Sequence, residues 1–200
     1  FFFYIFGINW QSYLLHSSFI NAALTIFTFF VLKSFNLKLI YCFIYSLFFA
    51  TLAYPSSGTP FVDHHSAFFS LLGVYCLILG LKNKKNIYWF LLPIFFGFSF
   101  FSKIVPSLYI ILSSFFVLAL YSALNKKFDY IKYLFAGFIL FIIIVFSYGG
   151  YNQIKFSSFL EQYVFYPMSI GEGRFSNLNI TFSNIVDHFK FIYISIIPLF

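Results

Sequence analysis

The sequence predicts an all-α, polytopic helical membrane protein, and three observations carry that reading. Of its 200 residues, 62% are hydrophobic and only 8% charged, where an ordinary soluble domain carries roughly a quarter charged. The mean hydropathy is +0.91. The apolar residues gather in runs of about 15 to 20, close to what a helix needs to cross ~30 Å of hydrocarbon, and short gaps rich in lysine and asparagine separate them. This composition excludes a soluble globular domain, a disordered tail and a disulfide scaffold. An aromatic content of 27%, with 36 Phe, exceeds what one buried core holds and suits a surface bathed in lipid.

Each element follows from a run and its stop. The first span, 13–32, ends at Lys33-Ser34-Phe35-Asn36-Leu37-Lys38. The second, 39–54, ends at Pro55-Ser56-Ser57-Gly58-Thr59-Pro60, a stretch whose prolines and glycine cannot continue a helix. The third, 66–81, meets Lys82-Asn83-Lys84-Lys85, and the fourth, 87–101, closes at Ser102-Lys103 with Pro106 beyond. These two are short for a full crossing. The fifth, 107–124, stops at Asn125-Lys126-Lys127, and the sixth is 133–150. A polar segment, 151–187, is expected as a long outer loop before a seventh span at 189–200. The expectation is therefore six to seven transmembrane helices in a single membrane domain, 1–200. The chain opens on Phe1-Phe2-Phe3 rather than Met and stops at Phe200 within an apolar stretch, which reads as an internal fragment of a longer polytopic protein.

The basic residues give an orientation. The net charge is +7, from 12 Lys+Arg against 5 Asp+Glu. In a soluble protein that excess would point to nucleic acid; here it lies in the gaps between spans, and no nucleic-acid partner is expected. If spans alternate, Lys33, Lys38, Lys82, Lys84, Lys85, Lys126, Lys127 and Lys132 share one side, and Lys103, Lys155 and Arg174 the other, with Lys190 at the mouth of the last span. The first side is cytoplasmic by the positive-inside rule. Asp63, Glu161, Glu172 and Asp187 fall on the opposite side, and Asp129 alone falls inside. Residues able to do acid–base, metal or phosphate chemistry thus concentrate on the non-cytoplasmic face. Cys42 and Cys76 both sit inside apolar runs, which disfavours a disulfide or a thiolate metal site.

Three constellations are candidates for chemistry. Asp63-His64-His65, where the second outer loop re-enters the membrane, combines residue types that bind a divalent metal or orient and deprotonate a hydroxyl. Consecutive helical residues point about 100° apart, so at most two of the three face one ion. The competing reading makes Asp63 the N-cap of an ordinary helix, favoured by the helix dipole. Lys103 sits on the side that the charge rule disfavours; a lipid-linked phosphate explains it, because an ammonium pairs strongly with phosphate in a low dielectric, and snorkelling to headgroups is the alternative. In the outer segment, Gly171-Glu172-Gly173-Arg174 reads either as a cover over a substrate groove, with Arg174 a second anion contact, or as a solvated loop holding a local ion pair. Asn179-Ile180-Thr181 fits an N-glycosylation acceptor in form. His16, Asn21 and His188 are polar residues in or near spans, where such groups usually bond to a neighbouring helix.

Three stretches together carry a resemblance: Phe6-Gly7-Ile8-Asn9 before a span, Asp63 after a turn-rich outer loop, and Gly97-Phe98-Ser99-Phe100-Phe101-Ser102-Lys103 with a proline beyond. Over residues 6 to 124 the chain resembles the multi-spanning GT-C glycosyltransferases, the bacterial family related to protein mannosyltransferases and to the aminoarabinose transferase of lipid A. His64 and His65 are not part of the general family pattern. The resemblance implies transfer of a sugar from a polyprenyl-phosphate donor to a glycan, lipid or protein acceptor on the outer face of a bacterial inner membrane. It places the principal catalytic aspartate upstream of this chain. Asp63 is then a secondary acid, and Lys103 and Arg174 contact phosphate; His64, His65 and Glu172, beside these residues in the sequence, are further candidates for contacting substrate. A divalent metal is compatible with Asp63 and His64. A transporter or flippase, and a polymerase or ligase of surface polysaccharide, are the alternative classes. Transporters place ionisable residues near mid-bilayer, whereas here they cluster at span ends.

Overall fold

The computed structural model describes residues 2–52, 62–126, 128–175, 181–183 and 186–187. They are helical, with no strand among them. After a short α1 (Phe2–Phe6) come α2 (Trp10–Ser34), α3 (Leu39–Leu52), α4 (Val62–Asn83), α5 (Asn86–Ser102), α6 (Ile104–Asn125) and α7 (Ile131–Tyr151). A continuous helical run then follows, made of α8 (Phe156–Leu160), a π turn (Glu161–Phe165) and α9 (Tyr166–Phe175). The chain forms two compact units, Phe1–Val145 and Phe146–Phe200.

Among the described residues, four helices are long and apolar enough to cross a membrane: Trp10–Ser34, Asp63–Asn83, Ile104–Asn125 and Ile131–Tyr151. The expected count of six to seven is thus supported for four. Leu39–Leu52 and Asn86–Ser102 have 14 and 17 residues, about 21 and 25 Å at 1.5 Å per residue, short of the full hydrocarbon thickness. The run at 189–200 lies outside the described residues. The span expected at 66–81 extends to full length because Asp63, His64 and His65, polar on paper, join Val62 in its first turn. The first span starts earlier than expected because Asn9 caps it: its side-chain oxygen accepts the Ser12 N–H at 2.8 Å, satisfying one of the donors a helix start leaves open. The segment expected as an outer loop is largely helical from Phe156 to Phe175; its aromatic and aliphatic residues outweigh the two glycines, Gly171 and Gly173, that suggested a loop.

Within the first unit, α4 and α5 form the central antiparallel pair. Gly73 and Gly80, two turns apart on α4, face the rings of Phe96 and Trp89, so closely that a Cβ at either glycine would overlap a ring. Small residues at such crossings let helices approach where lipid offers no hydrophobic drive to associate. Around this contact lies the core: Cys76 and Leu77 of α4, Trp89, Leu92 and Phe96 of α5, Leu118 of α6, and Tyr130, which stacks on Trp89 at 4.7 Å. Pro93 interrupts α5 without ending it. Gly137 of α7 lies on the Phe90 carbonyl and Pro93, a crossing with no room for a side chain. On the other flank α2 runs parallel to α4, joined by a 2.7 Å hydrogen bond between Thr28 and Tyr75. Antiparallel α3 is tied to α2 by Asn21, whose amide donates to the Ala50 carbonyl at 3.0 Å.

These directions alternate, so the helix ends collect at two ends of the first unit. One end gathers the starts of α2, α4 and α6 and the finish of α5. The other gathers Lys33, Lys38, Lys82, Lys84, Lys85, Lys126 and Lys132, all exposed. At that end three helices stop the same way, with Asn36, Lys84 and Lys126 in the left-handed conformation at φ 58, 54 and 52°, returning N–H groups to the last turn's carbonyls. Such turns close helices in few residues, which is why the lysine-bearing gaps are short.

Candidate functional site

The candidate site is built where α4 starts and α5 gives way to α6. A single extended residue, Lys103 (φ −157°, ψ 124°), closes α5 and opens α6. The two helices form an antiparallel hairpin with Lys103 at its apex, and Ser99 and Ser107 on either arm bring their hydroxyl oxygens to 2.6 Å. From that apex the Lys103 ammonium makes an ion pair with the Asp63 carboxylate, in the first turn of α4. Asp63 is therefore not the N-cap that the local reading expects, because the helix already begins at Val62. Its charge still lies at the positive end of the α4 dipole, where a carboxylate is stabilised by about 0.3–1 kcal/mol.

Beneath the pair lies a knot of buried hydroxyls. Ser66, Ser99 and Ser107 have no exposed surface and Ser70 only 2%. Ser66 and Ser107 are 2.6 Å apart, as are Ser70 and Ser99. Ser99 donates to the Ser66 carbonyl and Ser107 to the Lys103 carbonyl, both at 2.7 Å. Every hydroxyl hydrogen finds an acceptor if Ser66 donates to Ser107 and Ser70 to Ser99. The knot fastens α4 to both arms of the hairpin and fixes the backbone of the residue bearing the ammonium.

Magnitudes separate the roles of pair and knot. Lys103 and Asp63 remain 45% and 52% exposed, and an ion pair at that exposure contributes about 0–1 kcal/mol to stability. The buried hydroxyls, each answered across a helix interface, hold the structure; the pair leaves two reactive groups open to whatever reaches this end.

His65 turns away from the pair toward α2, where its Nε2 lies 3.5 Å from Nε2 of His16 and the rings meet edge to face at 5.3 Å. Phe2 and Phe3 pack on the other sides of His16, whose Nδ1 has no hydrogen-bond partner among the described residues. His64 is half-buried beside it. Among the described residues, no group of three or more His, Cys, Asp or Glu stands ready for a metal ion, and Asp63 already faces the Lys103 cation. Glu172 and Arg174 lie on the backbone of α9 in the second unit, and their side chains are outside the described residues. Asn179 and Ile180 are also outside them, as is His188.

The structure thus brings Asp63 and Lys103 together and separates them from His65. Sequence reasoning missed the four serines; the contact of His16 with His65 on α4 agrees with the expectation that it bonds to a neighbouring helix, although the partner was not legible. Ser66 and Ser70 carry a faint signal, two hydroxyls one turn apart in an apolar helix; Ser99 and Ser107 carry none, because serine is common throughout the chain.

An apolar groove of about 840 Å³ runs along α5, α6 and α7. Phe128 and Ile131 line it at the lysine-rich end, and Phe100 and Phe101 at the other, a few residues from Lys103. Comparison with known proteins finds no matching family model, no similar curated protein and no similar solved structure.

Proposed function

We propose that this chain belongs to an integral-membrane glycosyltransferase of the GT-C type, which takes a sugar from a polyprenyl-phosphate donor and passes it to a glycan, lipid or protein acceptor. It works on the non-cytoplasmic face of a bacterial inner membrane. The observation that carries the reading is the half-exposed Asp63–Lys103 pair, opposite the lysine-rich end; an apolar groove lined by Phe100 and Phe101, two and three residues before Lys103, runs along the adjoining helices.

The chemistry follows from that juxtaposition. An isoprenoid tail is an apolar chain that the groove's aromatic and aliphatic wall suits. With the tail there, its phosphate meets the Lys103 ammonium, which stabilises the negative charge that grows on the phosphate as the sugar departs. Asp63, its cation now shared, accepts a hydrogen bond from a hydroxyl of the sugar or acceptor. Displacement at the anomeric carbon needs a further carboxylate to activate the acceptor, which the resemblance places upstream of Phe1. A fixed hairpin apex favours this use, since a prepositioned cation loses little freedom when the phosphate arrives.

The test is the transfer rate against donor concentration, with the full-length protein in liposomes and folded protein quantified in parallel. Lys103→Gln removes a charge-assisted contact worth about 1.5–3 kcal/mol, so the donor concentration for half-maximal rate rises by about 10- to 100-fold while acceptor dependence stays near normal. Lys103→Arg retains part of the activity, because charge survives although the compact ammonium does not. Unchanged donor dependence in Lys103→Gln removes the phosphate role.

A further inference from the structure

We propose that the helical run Phe156–Phe175 is an interfacial helix, lying in the headgroup–acyl boundary of the bilayer. This inference is independent of the reading of Asp63 and Lys103, and it rests on three observations within the second unit.

The first is where the run begins. α7 is long and apolar enough to cross a membrane and ends at Tyr151. Its last turn is closed tightly: the Ile154 N–H returns to the Gly149 carbonyl at 2.9 Å and that of Gln153 to Gly150 at 3.1 Å, with Gln153 in the left-handed conformation at φ 54°. This double closure ends the helix within its last turn. Phe156 follows two residues later. Even fully extended, the segment from Tyr151 to Phe156 spans no more than roughly 17 Å, and the turn shortens it. The run therefore starts at the level where a crossing helix leaves the hydrocarbon.

The second is its pattern. Phe156, Phe159, Leu160, Tyr163, Val164, Pro167 and Met168 recur in steps of three and four; Ser157, Ser158, Glu161, Gln162 and Ser169 fill the other gaps, and the aromatic Phe165 and Tyr166 fill the gap before Pro167. The apolar pairs return every four residues, slower than the 3.6-residue α-helical turn, and would drift around a regular helix. The π turn at Glu161–Phe165 absorbs the difference, because its wider i→i+5 turn accommodates an extra residue. Phe156, Phe159 and Tyr163 consequently stack in a row, with centroids 6.3 and 5.0 Å apart.

The third is exposure. Phe156, Phe165, Tyr166 and Met168 are between 55% and 63% exposed, and Val164 and Ile170 are exposed as well. Over the whole run to Phe175 the charged residues are Glu161, Glu172 and Arg174, a net charge of −1. A helix in water keeps a charged outer face; one in the interface presents aromatic residues at headgroup level and buries an apolar face several ångströms into the boundary. With so little charge, apolar burial and not attraction to anionic lipid holds it, and the chemistry of the partner is that of any phospholipid interface.

Spin labels test this on the full chain in liposomes, with Cys42 and Cys76 replaced by alanine and helicity checked by circular dichroism. Labels at Val164→Cys and Met168→Cys, one turn apart on the apolar face, should collide several-fold more with oxygen relative to a water-soluble nickel chelate than labels at Ser158→Cys and Gln162→Cys. The ratio should be the same in zwitterionic vesicles and in vesicles containing anionic lipid. Predominant access of the chelate to positions 164 and 168 overturns the proposal in favour of a solvated helix. Shielding of both positions from both reagents overturns it in favour of a protein partner, and a contrast appearing only with anionic lipid overturns the charge-independent mode of binding.

Discussion

The two ends of the first unit are made of similar helices and differ in how their charges are treated. At the lysine-rich end, seven exposed lysines sit on three tight turns and on the helix ends that flank them, and Lys82 lies over the ring of Phe35, just past the end of α2, at 4.0 Å. At the other end a single lysine stands at a one-residue hairpin apex, faces a carboxylate from a different helix, and rests on buried hydroxyls from three helices. Many loosely placed charges set orientation, because insertion responds to their number and location and not to their contacts. One fixed charge with a fixed partner suits recognition, which depends on geometry. The contrast teaches that in this chain the amount of charge and the use of charge lie at opposite ends.

The largest expected effect is at the sparse end. Asp63→Asn keeps the size of the side chain and removes the charge facing Lys103. Under the proposed function, transfer falls by about 10- to 100-fold, the scale for losing a charge-assisted hydrogen bond of about 1.5–3 kcal/mol, while the amount of folded protein stays near normal because an exposed pair contributes little stability. Equal activity at equal protein level would return Asp63 to a purely local role at the start of α4.

A smaller effect sharpens the structural half of the comparison. Ser99→Ala removes the hydroxyl that joins α5 to α4 and α6, and should cost about 1–2 kcal/mol in unfolding from detergent micelles, at the upper end for hydrogen bonds between membrane helices. Ser113→Ala, whose hydroxyl reaches only the Tyr109 carbonyl of its own helix, should change stability by less than about 0.5 kcal/mol. Equal costs would mean that the knot does not hold the site.

The smallest energetic effect belongs to the crowded end. Lys84→Gln should shift stability by under about 0.5 kcal/mol and leave transfer unchanged. A cysteine at the same position reports orientation instead. In intact cells a membrane-impermeant thiol reagent should leave position 84 unlabelled and label position 153, and the reverse pattern would invert the topology.

What the sequence determined by itself is what depends on residues close together along the chain. Runs of apolar residues fixed where α2 to α7 lie to within a few positions, and the lysines between them marked one end as different from the other. Lys103 was legible as an exception because it broke that sorting. Local rules also went astray locally: Asp63 reads as a cap, and the glycines near Arg174 read as a loop. Only the tertiary structure decided which side chains meet. That Asp63 pairs with Lys103, that His65 turns to His16, and that Ser66, Ser99 and Ser107 share one knot all depend on how each helix is rotated about its axis. In a water-soluble protein an apolar stripe reveals that rotation. Here Phe, Ile and Leu cover every face, lipid accepts them all, and the rotation is set by a few glycines and serines that become distinctive only once the helices touch.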